Sequence, residues 1–351
     1  MRFNKDEVIY KYKLISNIGS GSFGEVWLAL DQSISSECAL KLLINNDSID
    51  NRLFEARIGN RLKHTNLVNI KYADIIRHPT IMENIVAIAM PYYKNGSVTS
   101  IINSCNFLDT NIAVNCLIDM LKGLEYLHEN GFYHCDIKPS NVLIGNNNEY
   151  ILSDYGISCF SPSKMAVKPK SSYLPHISPE TLSTNKYDAR TDIYQLGLTA
   201  FRFLCGIQEI KSDFYVLNNG NFEKAVLEGQ LITEKKFKPF VPRKLRKIVC
   251  KAVSVDPNDR YQTALEMRRE LERVSIKGYA TSDANGRIQF ISTGKTYRYE
   301  IISTLKNESN FIVFQKNNKT GRETIAHKYC EKSIKNSNIN KKIQSLANEF
   351  I

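Results

Sequence analysis

The chain has 351 residues, 42% of them apolar and 24% charged, with a formal net charge of +11. This length exceeds one average domain, and the apolar share can bury a full core, which excludes a globally disordered chain. Residues 276–351 hold 13 Lys and Arg against 6 Asp and Glu, a surplus of +7 that marks a separate basic region. That surplus suits an acidic protein, nucleic acid or a membrane surface, and serves solubility equally well.

The N-terminal residues through Glu7 are too polar for a signal peptide. Short β-like runs then alternate with glycine: Leu14 to Ile18, Glu25 to Leu30 and Glu37 to Leu43, the last two separated by turn residues as in an antiparallel meander. Leu53, Phe54, Ile58 and Leu62 recur at helical spacing and predict a helix over Asp50 to Lys63. Strand-like runs at Leu67 to Ile76 and Asn84 to Tyr92 complete a small sheet carrying one helix. The apolar stretch Ile85 to Met90 is far too short to span a bilayer.

After Gly96 the pattern becomes helical. Thr110 to Glu129 places Ile112, Leu117, Met120, Leu121, Leu124 and Leu127 on one face, and further helices are predicted at Asp192 to Cys205, Lys244 to Val253 and Gln262 to Val274. A β-rich lobe followed by an α-rich lobe implies a cleft between them, where ligands bind. From about Gly278 strands return, at Arg287 to Ser292, Tyr297 to Thr304 and Phe311 to Phe314, while Asn/Lys/Ser-rich Lys332 to Lys342 is expected to be loosely ordered. The eight cysteines form no C-x-x-C pair and several lie in apolar runs, the habit of buried free thiols in a reducing compartment. A cytoplasmic location is therefore expected.

Four motifs carry chemistry. Gly19, Ser20, Gly21, Ser22, Phe23 and Gly24 lie between two strands, where glycines let a hairpin fold over phosphates with its N–H groups free. A strand follows rather than a helix, which argues against a dinucleotide fold. Lys41 sits inside the apolar strand Ala39 to Leu43 and needs an anion or a route to solvent; Glu55 in the next helix could pair with it, though an edge-strand solubility lysine is an equal reading. Directly after the amphipathic helix comes Tyr133-His-Cys-Asp136-Ile-Lys138-Pro-Ser-Asn141, whose Asp, Lys and Asn suit a loop presenting base, cation and metal ligand together. Asp154-Tyr155-Gly156 follows a strand, and Asn141 and Asp154 supply hard oxygens suited to Mg²⁺.

In order and spacing these motifs resemble the eukaryotic-type protein kinase family over roughly residues 10 to 275, with Ser178-Pro179-Glu180, Asp192 and Arg260 also matching. The resemblance implies an α+β, bilobal protein-kinase fold. Its catalytic domain would occupy 1–275, with an N-lobe over about 10–93 and a C-lobe over about 94–275, and 276–351 would be a small, basic, β-rich accessory region. It implies serine/threonine protein kinase activity with ATP as co-substrate, Mg²⁺ and protein substrates, including the enzyme itself. Lys41, held by Glu55, would orient the α- and β-phosphates. Asp136 would take the acceptor proton, Lys138 would steady the γ-phosphate, and Asn141 and Asp154 would hold Mg²⁺. Val26, Ala39 and Leu143 would sandwich adenine, with Met90 as gatekeeper and Pro91-Tyr92-Tyr93 as hinge. Arg260 would pair with Glu180.

The chain departs from the family at several points. Cys135 replaces the Arg that binds an activation-loop phosphate, so phosphorylation of Ser171 or Ser172 is not expected to be required. Tyr155 replaces the Phe of D-F-G. Gly59, one turn after Glu55, replaces a large apolar residue, so the helix is expected to need other support, for which the C-terminal region is one candidate. The stretch Ser171 to Glu180 is about three residues longer than the family's loop, and Lys164, Lys168 and Lys170 beside it would suit acidic substrates or a solvated face. A pseudokinase scaffold would lack Lys41, Asp136 or Asp154, and all are present. A small-molecule kinase of the aminoglycoside-phosphotransferase type would not need the glycine loop, Ser178-Pro-Glu180 and Arg260. The C-terminal region is expected to be regulatory or a sensor, docking on the kinase, binding a protein activator or regulator or recruiting substrate, with an extension that completes the large lobe as an equal alternative; with no RNA-binding or zinc-ligand motif, nucleic acid is not an expected partner.

Overall fold

The computed structural model of the chain describes residues 2–21, 24–44, 48–78, 84–102, 105–154, 158–169, 172–216, 221–274, 277–304 and 307–350. The first lobe comprises β1 (Val8–Ile9), β2 (Tyr12–Gly21), β3 (Gly24–Asp31), β4 (Ser36–Leu43), α1 (Ile49–Arg61), β5 (Tyr72–Arg77) and β6 (Asn84–Met90). Its strands form one antiparallel sheet in the order β1-β2-β3-β4-β6-β5; β3 and β4 pair as the expected meander, and β6 inserts between β4 and β5. Alternation divides the sheet into two faces. Leu14, Trp27, Ala29, Leu40, Leu42, Ile85 and Ala87 pack on one side with Phe3 and Tyr12. On the other, Gly19 pairs with Val26, Val26 with Lys41, and Ala39 with Met90, so these residues line a common face.

The run from Leu67 is not one strand. Pairing starts at Tyr72, while Leu67, Val68 and Ile70 bury themselves and Val68 N–H donates to Leu152 O of the second lobe. Burial between lobes outweighs β-propensity there.

The second lobe holds α2 (Thr110–Glu129), β7 (Phe132–Tyr133), β8 (Val142–Ile144), β9 (Tyr150–Leu152), β10 (Cys159–Phe160), α3 (Pro179–Thr184), α4 (Ala189–Cys205), α5 (Glu209–Val216), α6 (Asn221–Leu227), α7 (Arg243–Ala252) and α8 (Ala264–Glu272). The first long helix starts and ends where its periodicity places it. Helix α4 starts earlier than apolar spacing indicates because Asp188 and Thr191 form a capping box, and it is buried on every side from Thr191 to Cys205. Such a helix can support a site only through the few polar groups it carries inward.

The C-terminal unit is an antiparallel sheet of β11 (Gly278–Ser282), β12 (Ile288–Ser292), β13 (Lys295–Ser303), β14 (Glu308–Asn317), β15 (Glu323–Ile325) and β16 (Glu331–Lys335), closed by α9 (Ile339–Phe350). The expectation of loose order over 332–342 is incorrect. Ile334 is buried in β16, and Ile343, Leu346, Ala347 and Phe350 bury one face of α9, with Phe350 stacked on Tyr297 at 4.1 Å between ring centroids. The helical spacing begins inside the polar stretch and was masked by its composition. The unit docks on the second lobe: Ala280 N–H donates to Thr110 Oγ1 (3.3 Å) at the start of α2, and Arg243 N–H at the start of α7 donates to Asn348 Oδ1 (3.0 Å). Among the described residues, no helix is long and apolar enough to cross a membrane.

Candidate active site

Lys41 is an interior-strand residue, not an edge one, and is 8% exposed. A buried ammonium needs compensating charge, and it has two partners. Its Nζ donates to Glu55 Oε1 and Oε2 at 2.9 and 2.7 Å and to Asp154 Oδ1 at 2.9 Å. Burial pulls the ammonium down, but the Asp154 and Glu55 carboxylates outweigh it and hold it above its ordinary value. Burial raises Glu55, only partly offset by Lys41. Asp154 would also rise on burial, but the Lys41 charge brings it down to about 2. The triad joins strand β4, helix α1 and the segment after β9.

The missing side chain at position 59 has a local answer. A Cβ there would lie 2.5 Å from Ile70 Cδ1, so Ile70 occupies the space a larger residue would fill. Ile70, Leu43, Ala56, Val86 and Ile88 form one buried cluster behind Glu55, and Arg52 Nη1 donates to Asn84 O at 2.6 Å. This support for α1 comes from the first lobe itself rather than from the C-terminal unit.

Gly24 has φ +152°, and a Cβ on it would be 2.1 Å from Leu42 O. Glycine is required there because the β3 backbone lies directly against β4. Gly19, Gly21 and Gly24 sit at the β2–β3 hairpin and Ser20 is exposed on it; Ser22 and Phe23 lie outside the described residues. Val26, Met90, Tyr92 and Leu143 are half-buried and Ala39 is buried, with Leu143 on β8 bridged to Ser97.

The loop after β7 is braced from inside the lobe. Asp192 on α4, fully buried, accepts from the N–H groups of His134 and Cys135 at 2.9 Å each, from His128 Nε2 at 2.8 Å and from the Tyr187 hydroxyl at 2.6 Å. Burial raises this carboxyl, but its hydrogen bond to His128 and the nearby His128 and His134 rings hold it below its ordinary value. Gln195, one turn on, accepts from Ile137 N–H at 2.9 Å and donates to Cys135 O at 3.3 Å. Cys135 takes φ +68°, a left-handed conformation that these bonds stabilise, and its side chain is buried with Tyr133, Cys159 and Tyr187.

Asp136, 6% exposed, holds Lys138 Nζ at 2.7 Å and Asn141 Nδ2 at 2.8 Å through Oδ2. Among the described residues its Oδ1 is buried with no hydrogen-bond partner. Such an orphaned acceptor is costly unless a donor arrives. Asn141 Nδ2 also donates to Asp136 O at 2.9 Å, which fixes the amide and commits its oxygen to the opposite side. Tyr155 and Gly156 lie outside the described residues, as do Lys170 and Ser171.

Arg260 is fully buried and grips Glu180 with two bonds, Nη1 to Oε1 at 2.8 Å and Nη2 to Oε2 at 2.7 Å. Burial raises Glu180, but the Arg260 guanidinium outweighs it and holds the carboxyl below its ordinary value. His176 and Arg202, which no sequence motif marks, are both buried behind the loop after β7: Arg202 Nη1 meets His176 Nε2 at 2.9 Å and His176 Nδ1 meets Ile137 O at 2.8 Å. Their signal was a His and an Arg inside otherwise apolar surroundings.

A lysine–carboxylate triad that joins the two lobes and an Asp–Lys–Asn loop in the second lobe form the arrangement that phosphotransferase sites use. The family model for the protein kinase domain matches residues 12–270, and the chain belongs to that family. It is 27% identical over 269 residues to the serine/threonine-protein kinase PrkC of Bacillus subtilis, covering 75% of this chain and 40% of PrkC. It is 27% identical over 278 residues to the serine/threonine-protein kinase PknB of Mycobacterium tuberculosis, covering 75% of this chain and 43% of PknB. An Aurora kinase of Eremothecium gossypii is 27% identical over 250 residues, 69% of this chain and 64% of that one. The chain thus spans about two fifths of the length of the bacterial relatives.

Proposed function

We propose that this chain is a cytoplasmic, Mg-ATP-dependent serine/threonine protein kinase, with a catalytic domain over 1–275 and a regulatory region over 276–351 that binds an activating protein. The observation that carries the reading is the orphaned Asp136 Oδ1, on a carboxylate whose Oδ2 accepts from Lys138 and Asn141, together with the Lys41–Glu55–Asp154 triad. Lys41 orients the α- and β-phosphates and Glu55 fixes Lys41. Gly19, Ser20, Gly21, Ser22, Phe23 and Gly24 cover the phosphates with backbone N–H groups, and Val26, Ala39, Met90, Tyr92 and Leu143 receive the base.

Asn141 and Asp154 fit a magnesium site: both present hard oxygens, Asp154 is ionised at neutral pH, and Mg²⁺ needs only one or two protein oxygens when phosphates supply others. When bound, the ion neutralises charge on the β- and γ-phosphates. The acceptor hydroxyl of a serine or threonine gives its proton to Asp136 Oδ1 as its oxygen bonds the γ-phosphorus, and the bond from that phosphorus to the ADP oxygen breaks. Lys138 holds Asp136 in line and meets charge on the transferred group. Positioning and charge neutralisation thus carry the acceleration.

The test incubates the full chain with γ-labelled ATP and Mg²⁺, alone and with casein, followed by phosphoamino-acid analysis. Label on serine and threonine of casein and of the chain itself is expected, and none when EDTA is in excess. ATP binding without transfer would make the chain a scaffold, and transfer only to small amines or alcohols would make it a small-molecule kinase.

A further inference from the structure

Lys138 has a second neighbour besides Asp136. Its Nζ lies 4.6 Å from the centroid of the Tyr173 ring, while 2.7 Å from Asp136 Oδ2. The ammonium is therefore held between a carboxylate and an aromatic face, and both attract it.

The ring is itself fixed. Tyr173 precedes a 3-10 turn, Leu174–His176, and its ring packs against His176 at 5.4 Å between centroids. Arg202 on α4 reaches this turn from the core. Its Nε donates to Ile207 O at 2.6 Å and its Nη1 to His176 Nε2 at 2.9 Å. A guanidinium only donates and a carbonyl only accepts, so His176 must be neutral with its proton on Nδ1, donating to Ile137 O at 2.8 Å. Burial and the adjacent Arg202 charge keep that imidazole from protonating. One buried arginine thus ties the turn that carries Tyr173 to the loop that carries Asp136 and Lys138.

We infer that Tyr173 is a positioning residue for phosphoryl transfer: its π face holds the Lys138 ammonium at the catalytic carboxylate, and His176, itself fixed by Arg202, holds the ring. This rests on the assignment of Asp136 and Lys138 to the transfer step.

The side chain's shape and its electrons can be separated. The full chain is made with phenylalanine at position 173, and with mono-, di-, tri- and tetrafluorinated phenylalanine there, by nonsense suppression. Fluorine withdraws charge from the ring face while leaving its outline nearly unchanged. Single-turnover transfer from ATP to casein is measured for each, with ATP affinity and melting temperature alongside. Relative to Tyr173→Phe, the logarithm of the transfer rate is expected to fall steadily with fluorination, to about fivefold in total for a half-exposed pair. ATP affinity and melting temperature should stay level, and Tyr173→Leu should be at least as slow as the most fluorinated ring. A rate that is flat across the series, or a leucine variant equal to phenylalanine, overturns the inference. Absence of transfer by the unsubstituted chain would instead overturn the assignment of the site.

Discussion

Glu180→Ala removes one half of a buried ion pair and leaves the other in place. Arg260 keeps its contacts with Ser254 O, Arg190 O and Val255 O, and with the Tyr194 ring, but its charge loses the only carboxylate it grips among the described residues. Arg260 has a side-chain exposure of 0% and Glu180 of 16%, so solvent cannot replace the lost partner. Breaking such a pair costs about 3–5 kcal/mol. At roughly 2 °C per kcal/mol for a protein of this size, the melting temperature should drop by about 6–10 °C. The double variant Glu180→Leu with Arg260→Met removes both charges and should recover at least ~2 kcal/mol relative to the sum of the two single changes. Because the folded-state value of Glu180 is lowered, its contribution is full above the unfolded carboxylate's ~4.3 and disappears as pH falls through the lowered folded value. The gap between wild type and Glu180→Ala, followed by urea unfolding from pH 7 down to pH 3, should therefore narrow only at the acid end. A single-variant cost below ~1 kcal/mol, or additive effects in the double variant, would refute the claim that this pair clamps the segment to the lobe.

Gly59→Leu should destabilise the first lobe by about 1–3 kcal/mol, since the new side chain meets Ile70 head-on, and adding Ile70→Ala should restore most of the loss. Thermal melts of the three variants check this. Ser172→Ala should leave casein phosphorylation within about tenfold of wild type, ~1.4 kcal/mol, because Cys135, buried in a cluster with Tyr133, Cys159 and Tyr187, itself has no positive charge to offer a phosphate.

Much of this molecule can be read from residue order. The strand Lys41, the helix Glu55, the loop Asp136 to Asn141 and Asp154 stand at spacings that a two-lobed nucleotide site requires, and the structure brings 41, 55 and 154 within hydrogen-bond distance and likewise 136, 138 and 141. Supports were harder to see. Ile70 looks like part of a strand, yet serves as the side chain Gly59 lacks. His176 and Arg202 act through a few buried hydrogen bonds, which leave no periodic trace. Helix α9 was hidden because its polar face dominates the composition of 332–342, although Ile339, Ile343 and Leu346 keep helical spacing. Local chemistry is written in motifs, whereas tertiary support is written in isolated side chains whose partners lie far along the chain.

The most direct measurement compares wild type with Asp136→Asn in a single-turnover transfer from labelled ATP to casein, with ATP affinity measured in parallel. Replacing the proton-accepting oxygen should slow transfer by about 10²–10⁴-fold while ATP binding stays within about twofold. Near-normal transfer by Asp136→Asn would contradict the assignment of this buried carboxylate as the group that takes the acceptor's proton.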